Sequence, residues 1–303
     1  MDGSRFVSYQ IAKYFSDLNE EVYVLNRGNS NKLSRLNVTY LKADCHDSKQ
    51  LQRVLNNLYF DIIIDVSCYQ ESDVDLLLKS LIQMPKCYIL MSSSAVYQVS
   101  NGLLSENSPT GFNSHWQDYG LNKLTAEQSL LKEKEFKTYC IRPPYIYGQM
   151  SNLYREAFIF DRLLKHEEIY IFNDGKTKLH FIDILDVCQF IHTLIQLQPS
   201  NSIYNIGHEV VSVKEWIEKC EKIVGQKARL VNVDYHLLQL NPKSFFPFRD
   251  YEYILDTTCQ DKIYQCFVFL EEGLQKGYDF YLKYDGITEE KNKYMFLKDK
   301  YLK

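Results

Sequence analysis

The sequence predicts an α/β protein built on a doubly wound parallel sheet. Two observations carry that expectation. Strand-like runs alternate with helix-period stretches from the first residues onward. Two of the runs, 60–66 (FDIIIDV) and 87–91 (CYILM), are apolar along their length rather than at every second residue, as strands covered on both faces are.

Residues 5–18 place Phe6, Ile11, Phe15 and Leu18 near one helical face. Residues 22–26 form a strand ending at Arg27-Gly28, and 38–41 form a short one. Residues 48–57 read as a helix with Ser48 as its N-cap. The strand 60–66 leads into a helix over 71–83, and the strand 87–91 into a long helix over 117–132. Residues 138–141 are again a strand. Beyond Gly148 the rhythm loosens. Helices are expected over 154–165, 184–196, 213–223 and 267–283, strands over 169–172, 178–182 and 202–206, and a loop with prolines and a Phe cluster over 241–250. A lysine-rich tail covers 284–303. The expected division is residues 1–148 as a first domain, with 178–206 returning to it. Residues 149–177 and 207–303 then form a smaller α/β lobe.

The beginning departs from this plan. A doubly wound sheet opens with a strand feeding a glycine turn and a helix, but here the helix begins almost at Met1. In the strand order 3-2-1-4-5-6 the first strand is central, so without it two neighbours lack a shared partner. The expectation is that the N-terminal strand is missing and that the true start lies upstream.

The 303 residues are 45% hydrophobic and 24% charged with a net charge of -4, which excludes a disordered or fibrous chain. That balance offers no field for nucleic acid or an anionic membrane. Eight cysteines include no C-x-x-C pair, so reduced thiols are expected rather than a disulfide framework, and no metal. No apolar run reaches the length of a membrane span, and the expected location is cytoplasmic. Glycine is scarce, 12 in all, with only Gly3 and Gly28 in the first hundred residues. A phosphate-cradling loop must therefore be argued residue by residue.

The strongest chemical constellation is the strand 87–91, the turn Ser92-Ser93-Ser94-Ala95-Val96-Tyr97, and then Tyr119 and Lys123. Tyr and Lys four apart share one helix face, and the ammonium favours the phenolate, so the phenol can exchange a proton near neutral pH. A serine hydroxyl at a strand end can steady charge developing on the same substrate oxygen. The bare Y-x-x-x-K spacing carries little weight, since Tyr9/Lys13 and Tyr294/Lys298 share it. Only Tyr119 follows a serine-ended buried strand and opens a long helix. The bland alternative is an ordinary pair of helix-surface neighbours beside a polar turn.

Asp2-Gly3-Ser4-Arg5-Phe6-Val7, the strand end Asn26-Arg27-Gly28, the serine turn, Tyr119 to Lys123 and Arg142-Pro143-Pro144-Tyr145-Ile146-Tyr147-Gly148 recur as a set in one family. So do His180-Phe181-Ile182-Asp183, Tyr204-Asn205-Ile206-Gly207 and Leu270-Glu271-Glu272-Gly273-Leu274. In these motifs the chain resembles the extended short-chain dehydrogenase/reductases of the NAD-dependent epimerase/dehydratase family, in the R-F-V branch that includes chloroplast stem-loop-binding proteins. The resemblance implies a Rossmann-type fold and a Ser93, Tyr119 and Lys123 site, with Ser94 as the fallback hydroxyl. It implies cofactor contacts from Gly3, Arg5, Phe6, Asn26, Arg27, Asp44, Val66, Ser67, Lys123, Arg142 and Pro143. For Arg142 a structural salt bridge is the alternative, and for Asp44 a turn or cap role. With no acidic residue at the second strand end, NADP stands level with NAD.

The departures are local. Asp2 and Ser8 occupy two of the family's three phosphate-turn glycine positions, which weakens the expected dinucleotide site. Ser94-Ala95 replace the acidic pair of the family's dehydratases, which disfavours a 4,6-dehydratase. The implied function is an NAD(P)-dependent sugar epimerase or reductase, the sugar nucleotide-linked, in a chain that could pair as a homodimer without nucleic-acid or membrane partners. The rivals are a cofactor-poor pseudoenzyme acting as a binding module and an RNA-binding member. His180 is expected to be packed, Tyr145 and Tyr147 to lie beneath the smaller lobe, and Phe245, Phe246 and Phe248 to cover a substrate or mark a partner surface.

Overall fold

The computed structural model describes residues 6–28 and 37–283; the expected cofactor contacts Gly3 and Arg5, and the phosphate-turn position Asp2, lie outside the described residues. In chain order the elements are α1 (Phe6–Asp17), β1 (Val22–Asn26), β2 (Val38–Lys42), α2 (Ser48–Leu55), β3 (Ile62–Asp65), α3 (Glu71–Ser80) and β4 (Cys87–Met91). Next come β5 (Leu103–Leu104), α4 (Asp118–Leu130), β6 (Lys137–Arg142), β7 (Tyr145–Tyr147), α5 (Glu156–Leu164), β8 (Glu168–Ile171), β9 (Lys178–Asp183), α6 (Ile184–Leu197) and β10 (Ile203–Asn205). The chain closes with β11 (Glu209–Ser212), α7 (Val213–Val224), β12 (Arg229–Asn232), β13 (Ile254–Leu255), α8 (Thr258–Asp261) and α9 (Leu270–Lys283).

Two compact units emerge. The first comprises Met1–Pro144, Ile184–Gly207 and Leu255–Phe267; the second comprises Tyr145–Asp183, His208–Ile254 and Val268–Lys303. The chain thus re-enters the first unit at Ile184, not at 178. The reason is pairing: β9 is parallel to β7 and antiparallel to β11, all within the second unit.

In the first unit β3, β4, β6 and β10 form one parallel sheet in the order β10-β6-β4-β3, and β1 and β2 a separate parallel pair. All five residues of β4 are buried, which accounts for its unbroken apolar sequence. Its Tyr88 and Leu90 face a core with Leu51, Val74, Leu77 and Leu130. Each such buried Leu contributes about 1.5–3 kcal/mol against exposure. Among the described residues no strand joins β1 to β3. Instead residues of both, including Val22, Val24 and Ile62, line a cleft of about 490 Å³ with Ala12 of α1 and Ile195 of α6.

The N-cap of α2 is Asp47, not Ser48. Its carboxylate accepts from the Lys49 and Gln50 amides at 3.0 and 3.1 Å, and a charged acceptor outcompetes a hydroxyl one position on.

The second unit has its own core. The Trp216 ring stacks on Phe181 with centroids 6.2 Å apart and meets the edge of Phe248 at 4.9 Å. Phe245, Phe246 and Phe248 are fully buried there, so they neither cover a substrate nor offer a partner surface. A loop carrying three phenylalanines lowers its free energy by turning them inward. Tyr145, Tyr147 and His180 are likewise buried. A capping box opens α7, with the Ser212 hydroxyl accepting from the Glu215 amide at 3.1 Å and Glu215 accepting from the Ser212 amide at 2.7 Å. All eight cysteines are free.

Candidate active site

Every described residue expected to contact cofactor or substrate, Phe6 apart, belongs to the carboxyl end of a parallel strand or to α4. Asn26 ends β1, Asp44 follows β2, Val66 and Ser67 follow β3, Ser93 follows β4, and Arg142 and Pro143 end β6. Ligands of open parallel sheets bind at such ends. Phe6 is different: it is buried in the first turn of α1.

The serine turn is held by main-chain bonds. The Ser92 amide donates to Ile141 O at 2.8 Å and the Ser94 amide to Pro143 O at 3.0 Å, so the turn is moored to the end of β6. Ser94 is buried, whereas Ser93 is half-buried and its hydroxyl accepts from the Ala95 amide at 3.2 Å. The first turn of α4 lies directly on this backbone. A Cβ at Gly120 would stand 2.1 Å from Ala95 O, so only glycine permits the approach. That contact seats the start of α4, which carries Tyr119 before Gly120 and Lys123 after it, on the serine turn.

Tyr119 is 39% exposed, its ring edge-on to Tyr69 at 6.1 Å between centroids. Lys123, one turn further, is buried. Its Nζ donates to Cys68 O at 2.6 Å and to Met91 O at 2.8 Å, and lies 5.2 Å from the centre of the Tyr69 ring. Burial lowers its pKa from the usual lysine value, opposed chiefly by the Asp65 charge. An ammonium with three donors retains one beyond these two carbonyls.

Asn26 has its Oδ1 accepting from the Gly28 amide at 2.7 Å, while its buried Nδ2 meets no partner among the described residues. Arg27 is exposed. Asp44 accepts from the His46 amide at 3.0 Å, and its own amide donates to Gln50 at 3.0 Å. This is a turn geometry, which leaves its second oxygen for a ligand.

Arg142 is turned into the unit. Its Nε and Nη2 donate to the two oxygens of Glu127 at 2.9 and 2.6 Å, and Nη1 to Tyr97 Oη at 2.9 Å and Glu106 O at 3.3 Å. Burial works against the Arg142 charge, but the hydrogen bonds and charge of Glu127 outweigh it and raise its pKa. Tyr97 Oη in turn donates to Asn205 Oδ1 at 2.6 Å. Sequence reasoning did not single out Glu127, Asp65 or Asp73. The available signals were a carboxylate closing the apolar run 60–66 and an acid one turn beyond Lys123 on the buried face of α4.

A doubly wound parallel sheet with a serine turn, a Tyr-Lys helix and an Asn-Arg strand end defines a Rossmann-type protein of the extended short-chain dehydrogenase/reductase class. The chain belongs to the NAD dependent epimerase/dehydratase family, whose model matches residues 3–207. A curated relative, the chloroplast stem-loop binding protein of 41 kDa b of Arabidopsis thaliana, is 26% identical over 268 residues, covering 82% of this chain and 69% of the relative. Among solved structures, the UDP-glucose 4-epimerase of Thermotoga maritima with UDP-glucose aligns with TM-score 0.76 at 19% identity, over 93% of this chain and 97% of that one. A dTDP-glucose 4,6-dehydratase from Bacillus anthracis in complex with NAD aligns with TM-score 0.76 at 15% identity, over 94% and 96%. MoeE5 in complex with UDP-glucuronic acid and NAD aligns with TM-score 0.74 at 17% identity, over 93% and 97%. At these identities the likeness is one of fold.

Proposed function

We propose that the chain is an NAD(P)-dependent epimerase or reductase acting on a sugar carried by a nucleotide, with Ser93, Tyr119 and Lys123 as its site. The observation that carries this reading is the close contact of α4 with the serine turn at Gly120, on a helix that bears the exposed Tyr119 and, one turn on, the buried Lys123. The solved structures with UDP-sugars and NAD support the same substrate class and cofactor.

The residues present fit a dinucleotide. The unpartnered Asn26 Nδ2 and exposed Arg27 offer donors at the β1 end, Val66 and Ser67 border the β3 end, and Lys123 has a donor left for a ribose hydroxyl. Bound there, the nicotinamide supplies a site that takes up or returns hydride. Tyr119 holds or accepts the hydroxyl proton of the substrate carbon that is oxidised, and Ser93 Oγ donates to the same oxygen. The Lys123 charge favours the phenolate of Tyr119. With Arg27 and no acid at the β1 end, NADP binds at least as well as NAD in this reading.

Titration with NADH and NADPH, followed by turnover of UDP- and dTDP-sugars, tests the proposal. Tyr119→Phe is expected to lower kcat by about 10²-fold or more while leaving cofactor binding intact. A Tyr119→Phe variant with unchanged turnover removes Tyr119 from the mechanism. The open cleft between β1 and β3 favours one second reading, a cofactor-poor binding module. Micromolar NADH or NADPH affinity disposes of it.

A further inference from the structure

Asp65 is fully buried at the carboxyl end of β3 and belongs to no role assigned above. One of its oxygens accepts from the Ser67 and Cys68 amides at 3.0 and 2.9 Å, and the other from Tyr88 Oη at 2.7 Å. The far end of the same loop is fixed by a second buried carboxylate. Asp73 Oδ2 accepts from the Tyr69 amide at 2.9 Å and the Gln70 amide at 3.3 Å. Residues 66–70 are therefore clamped at both ends by ionisable groups. The loop so held directs Cys68 O to the Lys123 ammonium and lays the Tyr69 ring against both Lys123 and Tyr119.

We infer that Asp65 is the positioning residue of the Tyr-Lys pair, acting through the 66–69 loop. The argument is one of bond geometry. A carboxylate closing a strand with two consecutive amides fixes the peptide planes that follow it, and with them the direction of the Cys68 carbonyl. A neutral side chain of the same shape gives these amides a weaker acceptor. The carbonyl is then free to turn from Nζ, and Lys123 loses at once the charge that most offsets its burial. Burial already disfavours the charged Lys123, and Asp65 opposes that burial most; Cys68, Tyr69 and Glu127 also oppose it. Glu127 is committed to Arg142. Asp65 thus governs both where the ammonium sits and how readily it keeps its proton.

The inference rests on the proposed Tyr119 and Lys123 roles for its catalytic consequence, but its structural half is readable without turnover. Protein carrying ¹³C-labelled lysine, with the Lys123 Cε resonance assigned by its disappearance in Lys123→Met, gives the Lys123 titration directly. In Asp65→Asn the midpoint is expected to fall by about half a pH unit or more. Tyr88→Phe, which removes one bond to Asp65 but leaves its charge and the loop amides, is expected to move it less. Where the protein turns over a sugar, Asp65→Asn should lower kcat about tenfold with KM for the sugar within about twofold, and Asp65→Glu should restore part of the loss. An unmoved Lys123 midpoint in Asp65→Asn overturns the inference whatever the activity. A midpoint that falls in a protein without sugar turnover supports the positioning and refutes the proposed reaction instead. Should Asp65→Asn fail to fold, Asp65→Ser, which keeps an acceptor near the loop amides but drops the charge, decides: a Lys123 midpoint equal to wild type is the overturning result.

Discussion

Replacing Glu127 by Gln puts the buried Arg142 network to a quantitative test. Arg142 and Glu127 side chains are 3% and 1% exposed, and their two hydrogen bonds are 2.9 and 2.6 Å long. A glutamine of the same shape can accept only one of them, and its amide group must face a guanidinium donor. The substitution thus leaves an uncompensated cation in the interior, a change that costs about 3–5 kcal/mol. Because Arg142 also donates to Tyr97, and Tyr97 to Asn205, the loss extends across β6, the serine turn and β10. Urea unfolding followed by far-UV circular dichroism measures it. The companion experiment removes both charges: Glu127→Leu with Arg142→Met is expected within about 2 kcal/mol of wild type, since a well-packed apolar pair avoids the desolvation that the ion pair must overcome. A Glu127→Gln cost below about 1 kcal/mol, or a double variant weaker than the single, refutes the reasoning and returns Arg142 to the ligand side of the ledger.

The other expectations are narrower. Gly120→Ala forces a Cβ to within 2.1 Å of the Ala95 carbonyl, a main-chain atom that cannot swing away, and should cost about 1–3 kcal/mol by thermal unfolding while depressing any activity of Tyr119. Lys123→Met strands the Cys68 and Met91 carbonyls, each losing a charged donor, and should destabilise the first unit by about 1–3 kcal/mol, visible as faster amide exchange in the 66–69 loop. Burial pushes the His180 pKa down to about 4, with the charge of His208 adding to the shift. Its folded pKa lies below the unfolded value of about 6.5, so the unfolded chain binds the extra proton. Stability is therefore full above about pH 6.5 and falls by up to about 3 kcal/mol as pH drops toward 4, a slope that His180→Leu should flatten in urea titrations at several pH values. A His180 ring that titrates near its ordinary value in a proton NMR series contradicts the last expectation.

The parallel sheet was legible because covered strands cannot hide their composition: β4 is apolar and buried throughout, β3 is a run of three isoleucines closed by the buried Asp65, and the helices between them keep the helical period. The site was legible as a set of positions and not as a set of contacts. Tyr119 and Lys123 are read from a spacing of four that three places in the chain share. What singles out this one is Gly120, whose missing side chain lets α4 touch the serine turn, and no spacing rule detects that. Asp47 displaced Ser48 as N-cap because adjacent polar residues compete for the same amides, a competition settled by geometry.

Arg142 shows the deeper limit. Tyr97, Arg142 and Asn205 come from three separate motifs, each of which reads equally well as a ligand-binding end of a strand. In the fold they form one buried chain that starts at Glu127, with four of the five guanidinium donors directed inward. A recurring motif records that a residue matters and is silent on whether it faces a ligand or its own fold. Exposure and donor count separate the two. Tyr119, Arg27 and half-buried Ser93 can be reached from outside, whereas Arg142 has almost nothing left to offer. The ends of β1 and β4 therefore carry the groups that can be reached, and the Arg142 network ties α4, the serine turn and β10 to the end of β6.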